Sequence, residues 1–152
     1  MTLQLYEPPI RPIYVIKGSD TTRNNTDTLA NDTGLVTGTL PANSVWEFEA
    51  VIHYRSSTVA DYKHAMIMPS GATLIASVLF YSSAAALTHA VYAGASLAGG
   101  GLGAVTIDLR VKGILRIGGT AGTVQYQWAQ NTLEVSDTIT YAESYMKLLR
   151  IS

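Results

Sequence analysis

The chain has 152 residues, no cysteine, and 10 Lys+Arg against 11 Asp+Glu, for a net charge of −1. That length suits one domain with a real core. The lack of cysteine excludes disulfides, thiolate nucleophiles and Cys-based zinc sites, and the balanced charge argues against nucleic-acid binding by bulk electrostatics.

Residues 1–18 differ from the rest. Pro8, Pro9 and Pro12 are three of the chain's five prolines. Proline fixes φ, lacks an N–H and biases its predecessor toward extended geometry. Leu3, Leu5, Tyr6, Ile10, Ile13, Tyr14, Val15 and Ile16 are interleaved with them. The segment is expected to be an extended arm over residues 1–18 that lies on a partner, ahead of a domain over residues 19–152. The N-terminus has neither the basic region nor the apolar run of a signal peptide. Residues 21–44 are rich in Thr, Asn, Asp and Gly and read as edge strand or loop, with turns at Asn31-Asp32-Thr33-Gly34 and Leu40-Pro41-Ala42-Asn43. Two Asn-x-Thr sequons fall here, at Asn24 and Asn31, and are read as chance matches.

Val45 to Arg55 alternates with period two. Trp46, Phe48, Ala50, Ile52 and Tyr54 lie on one face, and Glu47, Glu49, His53 and Arg55 on the other. This predicts a half-buried strand. Tyr62 to Met68 follows as a short strand, and Pro69-Ser70-Gly71 as a turn. Thr73 to Tyr81 is nearly all apolar and predicts a strand buried on both faces. Ala84–Leu87 is either a helical turn or part of a strand running to Tyr92, and periodicity does not decide. No Asp, Glu, Lys or Arg occurs between Ala65 and Ile107. Ser82, Ser83, Thr88 and His89 interrupt this stretch, and no basic cluster flanks it. It is therefore expected to be a neutral surface covered by other subunits, not a membrane span.

After a Gly-rich loop over 94–103, Ala104 to Ile117 is the second clear strand. Val105, Ile107, Leu109, Val111, Leu115 and Ile117 are expected inside, and Thr106, Asp108, Arg110, Lys112 and Arg116 outside. Gly113 marks a bulge or a close backbone approach. Gly118–Gly122 reads as a hairpin connection into Thr123–Gln130, where Val124, Tyr126 and Trp128 point inward. Tyr145 to Ile151 is the last strand. About eight strands and almost no helix predict an all-β protein, a jelly-roll-like antiparallel β-sandwich with an extended N-terminal arm.

Chemistry-bearing residues form no catalytic motif. His53, His64 and His89 have no metal-ligand spacing, although His53 shares a face with Glu47 and Glu49. Those two carboxylates, two residues apart on one strand, are within the separation of a glycosidase pair, as most strand carboxylates are. Gly99-Gly100-Gly101-Leu102-Gly103 lacks the Lys-Ser/Thr and the following helix of a phosphate loop. Arg110, Lys112 and Arg116 share one outer face. No enzyme activity, metal or cofactor is expected.

Asp20-Thr21-Thr22-Arg23-Asn24-Asn25-Thr26, Leu40-Pro41-Ala42-Asn43-Ser44-Val45-Trp46-Glu47-Phe48-Glu49-Ala50 and Pro69-Ser70-Gly71-Ala72-Thr73 carry a resemblance, continued by Gly119–Thr123, Gln127-Trp128-Ala129-Gln130-Asn131 and Lys147-Leu148-Leu149-Arg150. Together they resemble a β-sandwich domain of tailed-bacteriophage virion proteins, over about residues 20–151. The resemblance implies a structural virion role, as a capsid decoration (cement) protein or as the tip of a tail fibre. With no shaft or baseplate-attachment domain ahead of it, decoration of the outer capsid surface is the expectation. The partners would be the major capsid protein and other copies of the chain in a homotrimer, with no nucleic acid and no membrane. The arm residues Leu5, Tyr6, Pro8, Pro9, Ile10, Arg11, Pro12, Ile13 and Tyr14 would make the contact. The alternative is a short fibre or receptor-binding module for host glycan.

Overall fold

The computed structural model describes residues 11–82, 84–92, 94 and 96–152. Among these, twelve strands follow one another without a helix: β1 (Ile13–Ile16), β2 (Thr21–Arg23), β3 (Ala30–Val36), β4 (Val45–Arg55), β5 (Tyr62–Ile67), β6 (Thr73–Tyr81), β7 (Leu87–Tyr92), β8 (Leu97–Gly99), β9 (Ile107–Arg116), β10 (Gln125–Gln130), β11 (Thr138–Thr140) and β12 (Tyr145–Arg150). They make two antiparallel sheets. The larger runs β1-β12-β4-β9-β6-β7, with β11 pairing both β4 and β2, and the smaller runs β3-β10-β5-β8.

Consecutive strands change sheet repeatedly. The chain crosses between β4 and β5, back between β5 and β6, and again around β8, as a sandwich of this kind requires. Gly118–Gly122 is one of these crossings. It is not a hairpin, because β9 and β10 lie in different sheets. The one hairpin between sequence neighbours in the six-strand path is β6–β7. Its connection is closed by Ser82 N–H to Ala86 O at 2.8 Å and Ala85 N–H to Ser82 O at 2.9 Å, with Ala85 at φ +57°. The Ala-rich segment is thus a turn, with a strand beginning at Leu87.

The alternation of β4 decides what faces inward. Trp46, Phe48, Ala50, Ile52 and Tyr54 are buried and meet Leu74, Ala76, Val78 and Phe80 of β6, Leu109, Val111 and Leu115 of β9, and Met146 and Leu148 of β12. From the other sheet come Leu35, Tyr62, Met66, Tyr126 and Trp128. Aromatic rings join the layers. Tyr54 stacks on Tyr62 at 4.2 Å between centroids, and Tyr62 on Trp128 at 5.5 Å. The buried hydroxyls are satisfied: Tyr62 reaches Tyr126 Oη and Thr140 Oγ1, and Tyr54 donates to Gly100 O.

Three further expectations need correction. Val105 is 54 % exposed, because β9 begins two residues later and Val105 lies in the irregular stretch before it. Thr73–Tyr81 is not buried on both faces. Leu74, Ala76, Val78 and Phe80 point in, while Ile75 and Leu79 point out. Residues 13–17 are not part of a free arm. β1 pairs with β12, from Ile13 opposite Leu148 to Ile16 opposite Tyr145, and Lys17 is fully packed behind it. At Gly113 the structure has the close approach and no bulge. Registers to β4 and β6 run through it unbroken, and a Cβ there would sit 2.1 Å from Ile75 O.

Lys17 and Asp32 form an ion pair with side chains 2 % and 0 % exposed. The Lys17 ammonium donates to Asp32 Oδ1 at 2.7 Å, Oδ2 at 2.9 Å and Thr21 Oγ1 at 2.6 Å. Asp32 also accepts the Trp128 indole N–H at 2.9 Å and the Gly34 N–H at 3.0 Å. One partner cannot be removed without stranding a desolvated charge. Lys17→Met is expected to lower unfolding free energy by about 3–5 kcal/mol, read from urea titration, whereas a surface segment would change it by under about 0.5 kcal/mol.

His64 is fully buried between the rings of Tyr126 and Tyr92, at 5.8 and 6.2 Å, and neither ring nitrogen has a hydrogen-bond partner among the described residues. Burial drives its pKa from 6.5 down to about 4. The folded state therefore favours the neutral ring. Stability is fully present above about pH 6.5 and falls as the pH drops toward 4, by on the order of 3 kcal/mol. His64→Phe should flatten that part of the stability–pH curve. Burial also separates a leucine and a valine that the sequence treats alike: Leu109→Ala should cost about 2–5 kcal/mol, and Val105→Ala under about 0.5 kcal/mol, in the same denaturation experiment.

Candidate functional site

Once the inner faces are packed, what the molecule offers is the outer face of the larger sheet and its two edges. The edge at β1 presents Tyr14 and Ile16, which are 54 % and 57 % exposed. Because Tyr14 lies opposite Lys147, and Ile16 opposite Tyr145, both point away from the core. The Tyr14 and Tyr145 rings are 6.4 Å apart. Arg11 and Pro12 are exposed just before the strand, and Ile13 is exposed at its start. Of the residues expected to bind a partner, Arg11, Pro12, Ile13 and Tyr14 are thus brought to one sheet edge. Leu5, Tyr6, Pro8, Pro9 and Ile10 lie outside the described residues.

The outer face divides into two halves. Across β12, β4 and β9 it is charged and internally paired. His53 Nδ1 is 2.6 Å from Asp108, Arg110 is 3.1 Å from the same carboxylate, and Lys112 is 3.8 Å from Glu47. Tyr145 donates to Glu49 Oε1 at 3.0 Å. Burial opposes charge on Asp108, yet hydrogen bonds from His53 and Arg110 outweigh it and hold the carboxyl below its ordinary value. Burial and the neighbouring Glu49 push the Tyr145 phenol upward. Glu47 and Glu49 are therefore tied to different partners and do not stand as a free acid–base pair. Two of the three cations expected on this face, Arg110 and Lys112, are matched by carboxylates. Among the described residues no three His, Cys, Asp or Glu side chains converge as metal ligands.

Across β6 and β7 the same face is neutral and apolar. Ile75, Leu87 and Val91 are exposed, Leu79 is partly so, and Ile114 of the adjoining β9 continues this strip opposite Ile75. At its end, a shallow cleft of about 390 Å³ lies between Leu79, Tyr81, Leu87, Leu102 and Val105, with Arg110 at the rim. Sequence periodicity misses this surface, since Leu74–Phe80 is apolar at both parities. The signal that does mark it is the uncharged stretch from Ala65 to Ile107.

No protein-family model matches the chain, and no curated protein matches it in sequence. In fold it is similar to a solved structure of infectious bursal disease virus, Gt strain, with a TM-score of 0.51 and 9 % identity over 92 % of this chain. The chain spans 33 % of that protein's length. It also aligns with the tripod (BppUct-A-L) from the baseplate of bacteriophage Tuc2009, at a TM-score of 0.37 and 14 % identity, over 91 % of this chain and 63 % of that one. A third alignment is to the D431N mutant VP2 protein of infectious bursal disease virus, at a TM-score of 0.31 and 8 % identity, over 92 % of this chain and 40 % of that one. At 9 % identity the first likeness is one of fold, a two-sheet antiparallel sandwich.

Proposed function

We propose that the protein is a structural component of a virion, a decoration protein on the outer surface of a tailed-phage capsid. Its N-terminal segment binds the major capsid protein. The sandwich fold shared with a virus-particle structure over 92 % of the chain is the observation that carries this reading. The low charge content and the exposed, apolar β1 edge support it, because both suit a surface that works in contact with neighbours.

In this reading the arm comprises residues 1–12, and β1 is its footing. Lys17 roots that footing in the core through Asp32, so tension on the arm is transmitted to both sheets. Leu5, Tyr6, Ile10, Ile13 and Tyr14 supply apolar anchors, and Arg11 supplies a charge-assisted hydrogen bond. Extended backbone beyond β1 adds to a sheet edge of a shell subunit. Three copies around a shell three-fold position, the homotrimeric arrangement, multiply a modest single contact into avidity.

Removing residues 1–10 should leave the urea midpoint of the domain unchanged and weaken attachment to purified particles by at least about 100-fold. Tyr14→Ala in the full chain should weaken it by about tenfold. Co-sedimentation with particles stripped of the protein reads both. Equal binding by the truncated and full chains refutes the arm as anchor. A copy number far below that of the capsid subunits would assign the protein to a fibre and not to the shell.

A further inference from the structure

Among the described residues, β7 is the terminal strand of the larger sheet and pairs with β6 alone. Its far side presents N–H and C=O groups that no strand meets among the described residues. Sheet edges of this kind are ordinarily blunted by Lys, Pro, a bulge or an inward charge, because they template pairing with another chain. β7 reads Leu87-Thr88-His89-Ala90-Val91-Tyr92 and has none of these, and its register to β6 is unbroken. Leu87 and Val91 are 61 % and 63 % exposed and lie on the same face as Ile75.

We propose that β7 pairs antiparallel with β7 of a second copy, about a two-fold axis through His89 perpendicular to the sheet. This register is set by the side chains. It places Leu87 opposite the partner subunit's Val91, and Val91 opposite the partner subunit's Leu87, so each exposed apolar group meets another. Thr88 and Ala90 pair in the same way on the inner face. A patch that contacts its own copy must be self-complementary, and this one is so in both hydrogen bonding and hydrophobicity.

The absence of charge favours a copy of the chain over other partners. A charged protein surface laid on this strip would be desolvated with no counter-charge, since the chain carries none from Ala65 to Ile107. An anionic membrane surface is drawn by Lys and Arg, which are missing for the same reason. Pairing six residues of edge buries less than the about 1,000 Å² of a stable interface, so the free dimer is weak, with a dissociation constant of about 10–300 µM. The contact joins two six-strand paths into one sheet and leaves β1, at the opposite edge, free in each copy. It concerns contact between copies and does not depend on attachment to a shell.

The chain has no cysteine, so introduced thiols report cleanly. Opposed residues of an antiparallel pair have Cα atoms about 4.5–5.5 Å apart, within disulfide reach. Under mild oxidation, full-length His89→Cys should become a covalent dimer, and so should the double variant Leu87→Cys/Val91→Cys. Leu87→Cys alone, whose copies lie four residues apart in this register, and the equally exposed Ile75→Cys should cross-link at least about tenfold more slowly. Sedimentation equilibrium of the unmodified chain should show a monomer–dimer equilibrium up to about 300 µM, weakened at least tenfold in Leu87→Lys/Val91→Lys with no change in urea midpoint. A strict monomer or a trimer at that concentration overturns the proposal, and so does trapping of Ile75→Cys as fast as His89→Cys. None of these outcomes bears on particle binding, which the arm truncation tests separately.

Discussion

The buried pair of Lys17 and Asp32 is the constraint on which the two layers depend. Lys17 follows the edge strand of one sheet directly, and Asp32 lies in the edge strand of the other. Asp32 gathers the Lys17 ammonium, the Trp128 indole and the Gly34 amide, so each carboxylate lone pair directed inward is used. Taking both ions out of water costs several kcal/mol, and only a geometry this complete returns it. An apolar pair of similar size would slide; a buried ion pair does not, because a small displacement strands a charge. The pair ties the β1 edge of the larger sheet to the β3 edge of the smaller one.

From that corner the packing order follows. Trp128, held at its nitrogen by Asp32 and covered by the Arg23 guanidinium at 4.2 Å, takes the Tyr62 ring against its face. Tyr62 in turn stacks on Tyr54 and binds Tyr126 and Thr140 through its hydroxyl. The chain of rings crosses from the small sheet to the large one. Its polar tips are satisfied inside the core, which fixes rotamers more tightly than aliphatic packing alone. His64 is the exception, a buried imidazole with no hydrogen-bond partner among the described residues, and burial favours its neutral form.

The two edges of the larger sheet are finished differently. At β1 the outward residues are aromatic and aliphatic and adjoin the N-terminal segment; at β7 they are aliphatic on a bare, uncharged strand. Between them, His53, Asp108, Arg110, Lys112 and Glu47 are paired with one another and present little unmatched charge to an outside ligand. The exposed apolar side chains of the larger sheet thus lie toward its two edges, with the paired charges between them.

Much of this was legible in the residues. Period-two alternation in Val45–Arg55 and in Ile107–Arg116 determined two central strands, their inward faces and the all-β class, because a strand with one wet face must alternate. The uncharged stretch marked the neutral, exposed strip along β6 and β7. Tertiary structure alone decided the rest. Leu74–Phe80 is apolar at both parities, so only the position of the second sheet settles which parity is inside. Val105 reads like Ile107 but falls before the strand starts. Lys17 and Asp32 are 15 residues apart and individually look like solvent-facing charges. No local pattern announces that they meet, because a buried ion pair depends on two edges brought together through space, and local sequence records only what each strand turns toward its own sheet.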